Sequence, residues 1–371
     1  MSEMGFGFLR LPRRDPEDVH STDMPLLQQM VDAFLEAGGS YFDTAYTYLE
    51  GESERALREA VVRRWPRERL RIADKLPCWQ VKTPADCERL FAEQLERCGV
   101  SYFDYYLLHS LNAPYYEICL QMGEFEFLAR LKREGRARHI GFSYHDNAAL
   151  LERILREQPC VEFVQLQINY LDWQSEAIQA AQCYAVAEKY GKQVMVMEPC
   201  KGGTLAQLPA EAEQRLRSLR PQDSMAHWAM RFVRNLPQVA VVLSGMNALE
   251  QVRENMQPAL PLTAVEQQAL EEVAKQLRGV PSIPCTACGY CTEGCPGQIA
   301  IPRCFGLYNE AVRAPGDLWK IRPAYAALGE KQGLASACIG CGRCERHCPQ
   351  HLPIRSWLTK VAALLERAEK A

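Results

Sequence analysis

The chain has no apolar run long enough to span a bilayer, which argues against a helical membrane protein. It also has no excess of one charge: 43 Lys and Arg stand against 46 Asp and Glu. Nucleic acid or an anionic membrane is therefore not expected as its main partner. The opening Met1-Ser2-Glu3-Met4-Gly5 lacks a basic segment followed by an apolar one, so no secretory signal is expected. A glycine-rich phosphate loop is missing too. Gly5-Phe6-Gly7 does not extend to G-x-G-x-x-G and does not open a helix. Nor do the cysteines follow the layout of a disulfide-stapled secreted chain. Of 16, seven are scattered between Cys78 and Cys200, and nine crowd into Cys285 to Cys348. Reduced thiols in the cytoplasm, with a cysteine-rich metal module, fit that distribution.

What is present is an alternation. The 371 residues are enough for one large core and a smaller domain. Short apolar strands are expected at 5–12, 41–45, 70–76, 102–109, 137–143, 163–169, 193–198 and 239–244. Amphipathic helices are expected between them, several closed by glycine at Gly38, Gly99, Gly135 and Gly191. Parallel strands with helical crossovers follow, in about the number and length of a (β/α)8 TIM barrel. An open doubly wound sheet is the competitor, and the missing phosphate loop counts against it. The pattern places an α/β barrel at 1–277 and a small, mostly helical domain at 278–371, with Gly279 to Ser282 as linker.

The barrel is organised around Tyr41-Phe42-Asp43-Thr44-Ala45-Tyr46-Thr47-Tyr48. An Asp ending an apolar strand is costly unless a cation meets it; otherwise it caps a turn. In a barrel, chemistry sits at the C-terminal strand ends. The next strand ends at Lys75 and the one after at His109, so Asp43, Tyr48, Lys75 and His109 converge on one rim. An ammonium beside a phenol favours the phenolate, making the phenol a better proton donor near working pH. His109 can orient a carbonyl or help shuttle the proton. Such a site reduces a carbonyl if a hydride donor lies beside it.

Asp43-Thr44-Ala45-x-x-Tyr48, Lys75-Leu-Pro and Leu-Leu-His109 resemble the catalytic tetrad of the aldo-keto reductases, over roughly residues 5–277. The resemblance implies a (β/α)8 barrel, NAD(P)(H) and a small carbonyl or alcohol substrate. It implies that Ser143 and Gln165 hold the nicotinamide carboxamide and that Asn255 contacts the adenine. The chain departs from the family at two places. Glu198 stands where a stacking tyrosine is common, and Ser244 and Gln251 stand in the region of the cations that hold the NADP 2′-phosphate. Tyr144 and His145 also differ from many members, and no role is assigned to them.

The tail carries Cys285-x2-Cys288-x2-Cys291-x3-Cys295-Pro296 and Cys338-x2-Cys341-x2-Cys344-x3-Cys348-Pro349. Each is a complete bacterial ferredoxin run, which points to two [4Fe–4S] clusters. Zinc is the alternative, but its paired-cysteine sites leave the fourth Cys and the proline unexplained. The fourth Cys of each run is expected to serve the other cluster. Helices are expected at 301–314 and 354–371, and Cys304 is expected to pack in a core. Barrel and tail together resemble the ferredoxin-containing branch of the aldo-keto reductases.

The leading expectation is therefore a nicotinamide-dependent carbonyl reductase or alcohol dehydrogenase, with clusters relaying electrons to or from a carrier protein. A ferredoxin-coupled oxidoreductase without stable nicotinamide binding is the second reading. A barrel with structural clusters that acts as a binding module is the third.

Overall fold

The computed structural model describes residues 3–15, 18–279, 282–313 and 315–366. Its strands are β1 (Glu3–Gly7), β2 (Tyr41–Asp43), β3 (Arg71–Leu76), β4 (Phe103–Leu111), β5 (Ala137–Tyr144), β6 (Phe163–Gln167), β7 (Gln193–Met197) and β8 (Val239–Gly245). They close into a parallel barrel in sequence order, with β1 pairing β8. The open doubly wound sheet is thereby excluded.

The helices of this unit are α1 (Met24–Glu36), α2 (Glu52–Leu57), α3 (Pro84–Cys98), α4 (Ala113–Met122), α5 (Glu124–Arg133), α6 (Ala148–Glu157), α7 (Ala180–Lys189), α8 (Ala210–Leu219), α9 (Met225–Arg234) and α10 (Leu249–Asn255). A further helix, α11 (Ala264–Arg278), follows them. Local chemistry sets many of their ends. Thr83 and Asp86 form a capping box on α3, and Gly99 ends it in the left-handed conformation. Asn112 and Asn147 cap α4 and α6 through their side chains. Residues 113–122 between β4 and α5 are thus helical, as are residues 210–219 after β7. Helix α7 begins at Ala180, and the residues just before it form turns.

Side chains alternate in and out along each strand. Tyr41, Ala73, Leu107, Phe163, Met195, Val241 and Leu243 pack together as the barrel interior. Space there is tight: a Cβ added to Gly141 would lie 2.5 Å from the Phe163 carbonyl oxygen. The outward residues join the helices in the main core, including Phe6, Phe42, Ile72, Phe142, Val164 and Val242.

The chain divides into two compact units, with the boundary inside α11 between Leu270 and Glu271; Lys201–Leu205 groups with the second unit. That unit holds α12 (Ile301–Arg313), α13 (Leu318–Leu328), α14 (Arg343–Arg346) and α15 (Ile354–Leu365). The expected helix ends at 314 and 367–371 lie outside the described residues. Its core is formed by Ile283, Ile299, Phe305, Tyr325, Ile354, Leu358 and Val361, with the fully buried Cys304 among them, as expected. The two cysteine runs share one backbone pattern. Ala287 and Gly340, each before a second Cys, take positive φ (54° and 74°), and so do Gln298 and His351, three residues past the fourth (48° and 50°). Among the described residues no helix is long and apolar enough to cross a membrane.

Candidate active site

Strand alternation builds the rim. Two residues beyond each interior core residue, the next inward position falls at the C-terminal end: Tyr41 leads to Asp43, Ala73 to Lys75 and Leu107 to His109. By the same step Gly141 leads to Ser143 and Phe163 to Gln165, and these two are register partners. Five of the residues singled out from sequence therefore occupy one layer for one geometrical reason.

Their contacts are specific. Lys75 Nζ donates to Asp43 Oδ1 at 2.5 Å and to the Thr44 carbonyl at 2.6 Å. The same ammonium lies 4.7 Å from the centre of the Tyr48 ring. Tyr48 and His109 meet edge to face, their ring centroids 5.7 Å apart. All four residues are thus brought together. Burial pushes the Asp43 carboxyl up, while Lys75 and the Gln165 amide hold back part of that rise. His109 is driven well below the ordinary histidine value by burial first and then by the charges of Lys75 and His145. It stands as a neutral imidazole at neutral pH.

A supporting layer fixes this geometry. The Lys75 backbone N–H donates to Asp74 Oδ1 at 2.8 Å, and its carbonyl accepts from Gln94 Nε2 at 3.0 Å. Gln94 in turn accepts from the Tyr106 hydroxyl at 2.5 Å. Thr44 Oγ1 pairs with Ser53 Oγ at 2.7 Å, and Ser53 donates to the Phe8 carbonyl, which ties the β2 loop to α2. Pre-organised donors and acceptors of this kind let a site act without rearranging.

The other positions differ in character. Ser143 Oγ accepts from the Ser110 N–H at 2.7 Å. Gln165 Oε1 is buried with no hydrogen-bond partner among the described residues. Glu198 has a left-handed backbone (φ 57°), with its carboxylate 3.9 Å from Arg10. Ser244 points away from the interior and accepts from Asn255 Nδ2 at 3.1 Å on α10. Gln251 spends its amide oxygen on the Asn247 N–H.

Three side chains escape the sequence reading. Trp79 packs on His109 and on Tyr115 at 5.2 and 5.6 Å between centroids, forming a wall beside the imidazole. Arg10 supplies the cation opposite Glu198. His145, without an assigned role from sequence, bears on the charge of His109. Tyr144, by contrast, is structural and donates to the Asn147 carbonyl at 2.6 Å. An aromatic two residues past Lys75-Leu-Pro is the available signal for Trp79; Arg10 gives none.

The Lys75 geometry yields a first expected result. Lys75→Met should lower carbonyl turnover at least ~100-fold. It should also cost about 3–5 kcal/mol of stability, because it leaves Asp43 buried without its cation. The surviving activity should keep its loss at high pH, displaced upward, since the ammonium that favours the phenolate is gone. His109, already neutral, should add no break near the ordinary histidine value of 6.5 in the parent enzyme. A pH profile of turnover for both proteins checks this; superimposable profiles with equal rates would remove Lys75 from the chemistry.

In the second unit, Cys285, Cys288, Cys291 and Cys348 line one cavity. Cys338, Cys341, Cys344 and Cys295 line another. All are free thiols. Four soft sulfur donors around each cavity, with mostly apolar neighbours, fit a [4Fe–4S] cluster in each.

Comparison with known proteins agrees with both halves. Residues 284–352 match the 4Fe-4S dicluster domain model. An uncharacterized oxidoreductase of Bacillus subtilis, YqkF, is 24% identical over 74% of this chain and 94% of its own length. Among solved structures, the holo form of aldo-keto reductase AKR11C1 from Bacillus halodurans aligns with TM-score 0.59 and 24% identity, over 73% of this chain and 91% of that one. An aldo-keto reductase from Klebsiella pneumoniae in complex with NADPH aligns with TM-score 0.60 and 19% identity, over 73% and 90%. Residues 3–275 match the model of the Aldo/keto reductase family across the whole barrel, and the chain belongs to that family.

Proposed function

We propose that the barrel interconverts a small aldehyde or ketone and its alcohol, with Tyr48 as proton donor and a nicotinamide cofactor. The observation that carries this is the placement of Lys75 Nζ, 2.5 Å from Asp43 and 4.7 Å from the centre of the Tyr48 ring. The neutral His109 is suited to donate a hydrogen bond to the substrate carbonyl, and Trp79 excludes water from one side. Asp43 holds the Lys75 ammonium in place. Tyr48 releases its proton to the carbonyl oxygen and recovers it from solvent, while the ammonium stabilises the phenolate left behind. A bound reduced nicotinamide supplies the hydride. The orphaned Gln165 Oε1 and the Ser143 hydroxyl suit a carboxamide, which both donates and accepts hydrogen bonds.

The eight run cysteines are proposed as ligands of the two clusters, with the fourth Cys of each run crossing to the other. Iron–sulfur clusters supply one-electron transfer. The partner fitting that chemistry is a small electron-carrier protein. A reducing cytoplasm suits both the clusters and the scattered free thiols.

Coenzyme choice is a second expected result. NADPH should have little or no advantage over NADH, because a 2′-phosphate needs cationic partners. Ser244 and Gln251 supply none and are engaged with Asn255 and Asn247. Anaerobic titration with each coenzyme, followed by nicotinamide absorbance, measures the preference; a large one for NADPH would reveal another cationic site. The same titration addresses a second reading, favoured by the Glu198 carboxylate near Arg10: a ferredoxin-coupled oxidoreductase with no stable nicotinamide complex. If neither coenzyme binds at millimolar concentration while a reduced carrier still supports turnover, that reading replaces the first.

A further inference from the structure

Away from the rim, the barrel buries a second group of reactive side chains. Cys78 follows β3 by two residues, Cys119 lies on α4, and Glu124 opens α5. One ligand atom from each lies within 4.8 Å of the other two, and all three residues are buried. Cys119 Sγ is 3.2 Å from Glu124 Oε2, and Cys78 Sγ is 3.6 Å from the Leu76 carbonyl oxygen. Glu124 has no exposed surface, and its Oε1 has no hydrogen-bond partner among the described residues.

A carboxyl so placed requires an explanation. Burying a carboxylate without a cation is expensive. No ion pair to Glu124 occurs among the described residues, and the neighbour placed against its Oε2 is the Cys119 thiol. Glu54, Asp74 and Cys98 form another buried group of the same kind. There Arg97 already gives Glu54 a cation at 3.0 Å, so no ion is called for. At Glu124 no side chain among the described residues supplies that cation.

We propose that Cys78, Cys119 and Glu124 form a zinc site, with the Leu76 carbonyl oxygen beside it as fourth donor. Thiolate sulfur with carboxylate oxygen is a zinc donor set. Zinc–sulfur bonds of about 2.3 Å and zinc–oxygen bonds of about 2.0–2.2 Å at tetrahedral angles put sulfur and oxygen roughly 3.5 Å apart. The 3.2 Å and 3.6 Å separations bracket that distance. Binding forms two zinc–sulfur bonds and one zinc–oxygen bond to Glu124, and releases the two thiol protons and any proton on the carboxyl, with no change of oxidation state. Glu124 is also the first residue of a ten-residue helix, where the helix dipole favours its negative charge. The ion fastens the short turn Cys78–Gln80 to α4 and α5. That turn carries Trp79, which packs on His109 and Tyr115, so the zinc is structural and steadies one wall of the active site.

The test uses the full-length protein, prepared anaerobically with complete iron and sulfide and grown with added zinc. Elemental analysis should find about one zinc per chain beyond the iron, and the zinc-edge X-ray absorption spectrum should show mixed sulfur and oxygen neighbours. Glu124→Gln and Cys119→Ser should each lower zinc occupancy at least tenfold and leave iron and sulfide unchanged. An iron-replete protein without zinc overturns the proposal. So does zinc that survives Cys119→Ser, or a spectrum with four sulfur neighbours, which would place the ion in a cysteine run. The wild-type spectrum decides the matter even if a variant fails to fold. Mass analysis after alkylation adds one further outcome: a Cys78–Cys119 disulfide in the anaerobic protein overturns the site.

Discussion

Tyr48→Phe will lower carbonyl reduction about 10²–10⁴-fold, the usual worth of a positioned proton donor. The change is narrow. A phenylalanine ring keeps the edge-to-face contact with His109 and the place beside the Lys75 ammonium, so only the hydroxyl is lost. Tyr48 is half-buried at the loop end rather than in the core, and stability should barely move. The loss should fall on kcat, because a proton moved in the transition state contributes little to ground-state binding. Coenzyme titration and iron content should match the parent enzyme. Full turnover of every accepted carbonyl by Tyr48→Phe would transfer the proton donor's role to another group. His109 would then be the first to test, because its neutral imidazole faces the Tyr48 ring.

Much of this site is legible in the amino-acid sequence because the rim obeys a period of two. Asp43, Lys75, His109, Ser143 and Gln165 each follow an inward-facing strand residue by two positions, and the apolar strands mark where those positions lie. The aldo-keto reductase pattern sits on that scaffold and inherits its geometry. Where no period exists, the sequence says less. Arg10 leaves no signal and Trp79 only its place two residues past Lys75-Leu-Pro, and folding sets them against Glu198 and His109.

Helix α4 is hidden in the sequence because Ala-Pro-Tyr-Tyr-Glu-Ile-Cys-Leu-Gln-Met is apolar on nearly every side and shows no stripe. Helix α13 escapes for another reason: Pro323 interrupts it, and an internal proline ordinarily ends a helix. The hidden α4 has a consequence. Cys119 sits on it, so Cys78, Cys119 and Glu124 look unrelated along the chain. Three elements must pack for those atoms to come within 4.8 Å of one another.

Cys295→Ala should remove the cluster of the second run and spare that of its own. The arrangement of the cavities motivates this: Cys295 lines the one with Cys338, Cys341 and Cys344, while Cys348 lines the one with Cys285, Cys288 and Cys291. In each run the chain makes a tight turn just before the fourth Cys. The Cys295 N–H bonds to the Thr292 carbonyl and the Cys348 N–H to the Glu345 carbonyl, at 3.2 and 3.3 Å. The proline that follows continues the chain away from its own loop. Crossing joins the two runs through both metal centres, so cluster assembly becomes folding energy for a unit whose own core is small. Iron and sulfide should therefore fall by about half in Cys295→Ala. Double variants identify which half is lost. Adding Cys341→Ser should cost little more, because both changes strike one cluster, whereas adding Cys288→Ser should empty both. The opposite pattern, with Cys288→Ser harmless and Cys341→Ser fatal in the Cys295→Ala background, would mean that each run keeps its own fourth ligand. The proximity of Cys295 to the second run would then reflect packing of the thiol rather than ligation.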